Sequence, residues 1–185
     1  MGDTTGAVTA AVTATGAVAT LNADLSNAGS NNDALTLVLD ATTASAVDLN
    51  TLDGKTSVAI NAGTITTITS SSAAAVNTMV TNIAAIGLDS NWDVTLSDTT
   101  LTAAEVKTIN AGTSGTIDMS AATTITSSSV ADVLEIVNNT GATFTTATNY
   151  AVTLSDTASA ANANTIMGDT TGAVTATVVA TGAVA

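Results

Sequence analysis

Three aspartates at equivalent positions of a repeated segment are the residues best suited to metal chemistry. Asp98 and Asp156 each end a V-T-L-S-D segment, and Asp40 ends a looser copy of it. Calcium prefers carboxylate oxygens, but one ion needs six to eight oxygen ligands. Equivalent positions two strands apart in a stacked sheet lie about 10 Å from each other, too far to share an ion. We therefore predict no metal site and expect each carboxylate to cap the helix or turn that follows it. Calcium bound with the help of other carboxylates is the alternative.

Catalysis lacks the residue types that it needs. The chain has no histidine and no cysteine, so it offers neither an imidazole base nor a thiol nucleophile. Serines are frequent, but none stands in an arrangement with a catalytic partner. We predict that the protein is not an enzyme and that it holds no cofactor.

The aromatic residues allow two interpretations. Trp92, Phe144 and Tyr150 are the only ones, and Trp92 and Tyr150 lie just before related V-T-L-S-D segments. Exposed rings could stack on a carbohydrate, whereas buried rings would cover the open side of a narrow core. We expect the second arrangement, because a chain that is 45% apolar but only 2% aromatic must build a narrow core from Ala, Val, Ile and Leu.

The charge of the chain excludes several partners. Fifteen acidic residues and only two basic ones, Lys55 and Lys107, give a formal charge of −13. Binding to nucleic acid requires many cations that neutralise phosphates, and an anionic membrane surface would repel the chain for the same reason. Polar residues interrupt every apolar run, so no segment has the composition of a membrane span. We predict neither nucleic-acid binding nor membrane insertion.

The elements that must position these residues belong to an internal repeat. Residues 167–185 repeat residues 1–19 with two differences, so a new period of the sequence begins at position 167. Within this period, T-T-I-T-S-S-S occurs at 66–72 and again at 123–129. Such regular recurrence is typical of solenoids and other repeat arrays. The repeats divide one continuous array into the end of a unit, two units and the start of another, at residues 1–33, 34–92, 93–149 and 150–185.

Each unit alternates segments of strand and helix character. Thr102 and Glu105 match a capping box at the start of a helix. Val130, Val133, Leu134 and Val137 have the spacing of one helix face. We predict a right-handed α/β solenoid with a parallel sheet, short helices and loops, and about six coils per 166-residue period. An all-β solenoid is the alternative, because stacked β-coils also use Thr, Val and Ala.

Three segments resemble the repeats of very large bacterial surface and extracellular proteins, described as β-strand-repeat or adhesin-like and found in marine bacteria and cyanobacteria. These segments are D-L-N-T-L-D-G-K-T at 48–56, T-T-I-T at 66–69 and V-T-L-S-D-T at 94–99. The resemblance implies a secreted or cell-surface, elongated and non-enzymatic protein of surface layers, filaments, adhesion or biofilm, and it transfers no site residues.

These observations favour one function over another. The first is a structural repeat protein whose partners are copies of itself, through tandem repeats or through end-to-end and lateral self-association. The second is an adhesin stalk or binding module that depends on calcium or glycans.

Overall fold

The computed structural model describes residues 6–14, 16–25 and 33–179. Within them the protein is an α/β protein in which parallel strands alternate with short helices, so the all-β alternative is wrong. The chain forms two compact units, Met1–Val94 and Thr95–Ala185. None of the described helices has the length and apolar character that crossing a membrane would require.

The first unit contains two sets of parallel strands. Strand β1 pairs with β2, and β3 pairs with β4. A further parallel bridge joins Val38 of β2 to Asn61. Its elements in chain order are β1 (Thr9–Ala14), α1 (Val18–Asp24), β2 (Ala34–Leu39), β3 (Thr43–Ser45), α2 (Ala46–Asp53), β4 (Thr67–Ser71), α3 (Ala73–Thr81), α4 (Ile83–Ile86) and β5 (Asp93–Leu96), which contains the boundary between the units.

The second unit repeats this alternation. Its elements are β6 (Thr100–Leu101), α5 (Ala103–Asn110), β7 (Thr116–Met119), β8 (Thr124–Ser128), α6 (Val130–Val137), β9 (Thr143–Thr146), β10 (Ala151–Ser159), α7 (Ala160–Asp169) and β11 (Val174–Val179). One sheet has the strand order β11-β10-β8-β6, and β7 pairs with β9. Every one of these pairs is parallel.

Side chains at the N-cap start most of the helices. The capping box of α5 is confirmed: Thr102 accepts the N–H of Glu105, whose side chain accepts the N–H of Thr102. Serine N-caps make the first of these bonds in four other helices, through Ser45, Ser72, Ser129 and Ser159. Each such cap stabilises its helix by about 1 kcal/mol. The N-cap of helix α1 is Ala17, which makes no side-chain hydrogen bond to the helix.

The helices bury a narrow stripe at positions i, i+3 and i+6. In α6 the stripe is Val130, Val133 and Ile136, whereas the predicted members Leu134 and Val137 are only half-buried. The same spacing holds for Ala46, Leu49 and Leu52 in α2 and for the equivalent residues of α3 and α5. A short helix that rests on a thin core contacts it along one row of side chains, so the wider stripe of an ordinary amphipathic helix is not needed.

Candidate functional site

The three aspartates predicted as calcium candidates do not form one group. Asp40 follows β2, and its Oδ1 accepts the backbone N–H of Gly16 at 2.9 Å. Asp156 lies in β10, and its Oδ1 accepts the N–H of Val130 at 2.8 Å. Asp98 lies half-buried between β5 and β6. Among the residues that the structure describes, no group of three or more acidic side chains is arranged to hold a metal ion.

Asp156 caps a helix, but not the helix that we expect from the sequence. Val130 is the first residue of α6 and lies 26 residues before Asp156. The carboxylate therefore serves the preceding helix, and the expectation that it caps the following one is wrong. The physical reason is that the following helix, α7, already has Ser159 as its own N-cap.

Two serines make the same kind of contact with the first residue of a preceding helix. Ser71 Oγ accepts the N–H of Ala46 at 3.1 Å, and Ser128 Oγ accepts the N–H of Ala103 at 2.7 Å, in both cases 25 residues earlier. Both serines are buried. We call Ser71, Ser128 and Asp156 the strand seam, because each lies in a strand and accepts the first N–H of the helix that precedes that strand.

The strand seam completes the hydrogen bonding of the helix starts. The first N–H groups of a helix have no partner within it, and an N-cap side chain bonds that of the third residue. In α2, Ser45 therefore bonds Asp48, and the N–H of its first residue, Ala46, needs another acceptor. Ser71 supplies that acceptor for α2. We did not identify this role from the sequence, although consecutive serines at 71–72 and 128–129 were a usable signal.

A second row of contacts joins successive helices. Asn22 Nδ2 donates to the carbonyl oxygen of Asp48, and Asn50 Nδ2 donates to that of Ala75, both at 2.9 Å. Each asparagine is the fifth residue after its N-cap, and each acceptor is the third residue after the next N-cap. We call this row the helix seam.

In the second unit an ion pair takes the place of the asparagine contact. Lys107 Nζ lies 2.6 Å from Oδ1 of Asp132, and the two residues occupy the same fifth and third positions in α5 and α6. The hydrogen bond from Lys107 lowers the pKa of Asp132, and the same bond raises the pKa of Lys107. The helix seam thus keeps its sequence positions, although its acceptor changes from a backbone carbonyl to a carboxylate.

The aromatic rings belong mainly to the core. Trp92 and Tyr150 are fully buried, as expected, and Phe144 is half-buried. The hydroxyl of Tyr150 donates to Oδ2 of Asp169 at 2.5 Å. Burial, together with this hydrogen bond, raises the pKa of Tyr150. Neither Trp92 nor Tyr150 therefore presents a ring face to a carbohydrate.

The duplicated segment forms a strand in both of its copies. Strand β1 pairs with β2, and its Val8 carbonyl oxygen accepts the N–H of Ala34. Strand β11 pairs with β10, and the Ala173 carbonyl oxygen accepts the N–H of Val152. Position 173 corresponds to position 7 of the first copy. The two bonded carbonyls therefore belong to neighbouring residues of the shared sequence, positions 7 and 8. Carbonyls of adjacent strand residues point to opposite edges. The two copies are therefore paired along opposite edges.

The seams and the duplicated strand are the recurring contacts of this chain. They join residues that lie about 25 positions apart, and the seams occur in both units. No model of a protein family, no curated protein sequence and no solved structure matches the chain. The function of the chain has to be inferred from these contacts and from its composition.

Proposed function

We propose that this protein is a structural repeat protein that builds an elongated extracellular filament or cell-surface layer. Its fold would be a right-handed α/β solenoid of which each turn stacks on the preceding one. The observation that carries the proposal is the strand seam, in which Ser71, Ser128 and Asp156 each bond a helix start 25 or 26 residues earlier.

The spacing of the helices supports this arrangement. Apart from the four-residue α4, the described helices begin after positions 17, 45, 72, 102, 129 and 159, at nearly even intervals along the chain. All six starts precede position 167, where the next period begins, and six is the predicted number of coils per period. Parallel strands that are joined through a helix form right-handed connections almost without exception, which supports the handedness.

The seams also explain why such a chain would extend. A single turn leaves the first N–H of its helix and the polar group of its helix seam without partners, and a buried polar group without a partner costs about 1–3 kcal/mol. Each added turn supplies the missing acceptor or donor. Stability therefore grows with the number of turns, as in other repeat proteins whose units contact only their neighbours.

Composition agrees with the filament that we propose. A charge of −13 with only two basic residues gives neighbouring filaments mutual repulsion, which opposes their aggregation. The absence of cysteine and proline suits a uniform hydrogen-bonded ladder. The sequence resemblance to large bacterial surface proteins points in the same direction.

Polypeptides of one, two and three consecutive periods would test the proposal. In a solenoid, six coils at the spacing of parallel strands add about 29 Å of length per period at constant cross-section. Separate globular domains of one period each would instead add about 40 Å. Small-angle X-ray scattering measures both the maximum dimension and the cross-sectional radius. Increments near the larger value, or a cross-section that changes with the number of periods, would contradict a continuous solenoid.

A further inference from the structure

Nearly the same strand sequence is present twice, with differences at positions 11/177 and 13/179, and among the described residues each copy leaves a different edge open. In β1, the N–H and C=O groups of residues 8, 10 and 12 face β2. Beside and within β11, those of residues 173 and 175 face β10, before the register of this pair shifts between residues 175 and 177. Amides alternate between the edges of a strand, so residues 9 and 11 of β1 and residues 174 and 176 of β11 point away from these partners. Within the described residues, β1 and β11 are edge strands of their sheets.

The two open edges lack the devices that prevent strand addition. Natural edge strands are protected by lysines, prolines or bulges on the open side. Neither T-A-A-V-T-A in β1 nor V-T-A-T-V-V in β11 contains a charged residue or a proline. Strand β11 also exposes Val178 and Val179, each at 48%. An apolar strand with an open row of amides is well suited to pair with another strand.

We propose that a second copy of this chain docks head to tail, with the open edge of its β1 paired in parallel with the open edge of β11. This inference rests on the proposed structural function and gives it a contact. It requires no displacement, because each copy keeps its own β1–β2 and β10–β11 ladders. The two edges belong to different strands of one molecule, so the contact is heterologous, and an assembly that does not close into a ring keeps one open edge at each end.

The side-chain faces of the two strands agree with this pairing. Val8, Ala10 and Val12 are half-buried in β1, and their neighbours Thr9 and Ala11 are exposed. In β11, Val174 and Ala176 are likewise half-buried, and Thr175 and Thr177 are exposed. A parallel pair therefore keeps the apolar sides on one face of the joined sheet. The β1–β2 and β10–β11 ladders show that this sequence forms parallel pairs along either edge.

The experiment measures self-association of the full chain by sedimentation velocity over a range of concentration and salt. We expect the unsubstituted chain to form linear oligomers that grow at high salt, because screening weakens the repulsion between copies of charge −13. Ala176→Pro removes an N–H from the open edge of β11, and Ala11→Pro removes one from the open edge of β1. Each substitution should raise the dissociation constant at least about tenfold, since several ladder bonds are lost together.

Two further variants keep the test decisive if a proline disturbs the fold. Thr177→Lys and Ala11→Lys place a charge on exposed positions of the same strands. Each lysine lowers the net negative charge, so general repulsion decreases and loss of association reports the strand edge itself. Circular dichroism with thermal melting shows that the variants remain folded.

Each pattern of results has one meaning. Association that is lost in the folded β1 variants and also in the folded β11 variants supports the proposal. Loss in the β11 variants alone overturns it, because β11 would then replace β1 on the second copy's β2. Loss in the β1 variants alone also overturns it, because the partner of β1 would then not be β11. A chain that stays monomeric at high salt, or association that no variant weakens, also overturns it. The length increments of tandem polypeptides are measured separately, so the structural function can hold when this contact fails.

Discussion

Substitution of Ser71 by alanine tests the contact on which the structural proposal depends. The hydroxyl of Ser71 accepts the N–H of Ala46 at 3.1 Å and donates to the carbonyl oxygen of Thr69 at 2.8 Å. Ser71 is 5% exposed and Ala46 is fully buried, so water cannot readily replace the lost acceptor. A buried donor left without an acceptor costs about 1–3 kcal/mol. At about 2–4 °C per kcal/mol for a chain of this size, the thermal midpoint should fall by several degrees.

The serine run supplies its own controls. Ser70 is exposed, so Ser70→Ala should change the free energy of unfolding by no more than about 0.5 kcal/mol. Ser72 is the N-cap of α3, so Ser72→Ala should cost about 1 kcal/mol. The free energies of unfolding of the three variants are compared by denaturant titration.

Amide hydrogen exchange locates the effect of the substitution. In Ser71→Ala, the amide of Ala46 should exchange faster although it lies 25 residues away. In Ser72→Ala, the fast-exchanging amide should be that of Ala75 within the same turn. If Ser71→Ala unfolds like Ser70→Ala and leaves the exchange of Ala46 unchanged, the strand seam does not stabilise the fold.

Four further outcomes follow from the structure. The single tyrosine, Tyr150, has a raised pKa in the folded protein. Its contribution to stability is complete below the unfolded pKa of about 10 and is lost as the pH rises above that value. Absorbance at 295 nm should show that Tyr150 ionises at a higher pH in the folded chain than in denaturant. Asp132 has a lowered pKa in the folded protein. Its contribution to stability is therefore present above the unfolded pKa of about 4 and is lost as the pH falls through the lower folded pKa. Carbon NMR of the carboxyl group should record the lowered pKa, and Lys107→Met should return that pKa toward its ordinary value. Gly172→Ala would press a methyl group against the backbone carbonyl of Tyr150 and should lower the thermal midpoint, whereas Gly168→Ala, which meets no atom within 4 Å, should not. A calcium chelator should leave the thermal midpoint unchanged, and a fall in that midpoint would favour the calcium-dependent alternative.

The sequence predicts the type of the elements better than their contacts. The parallel strands, the short helices and the Thr102–Glu105 capping box are present as expected. The stripe predicted for α6 is half right, because Val130 and Val133 are buried but Ile136 replaces Leu134 and Val137. Helical spacing identifies an apolar side, but the width of the opposing core decides which of its residues are buried.

The calcium candidates show where the sequence is less informative. Their recurrence indicates a common place in the repeat, and the structure gives Asp40 and Asp156 backbone partners. The recurrence could not indicate that Asp156 bonds the preceding helix, because periodicity does not reveal which helix a side chain contacts. For the same reason the strand seam at Ser71 and Ser128 was not predicted.

The sequence by itself determined the period, the alternation of strand and helix, the start of α5 and a core that is mainly aliphatic. These properties depend on residues within a few positions of each other, where capping and periodicity act. The tertiary structure alone decided which helix each seam residue contacts and which edges of β1 and β11 are paired. Such contacts join residues about 25 positions apart, and one strand sequence can pair along either edge. Only the packed chain therefore shows which edge is used.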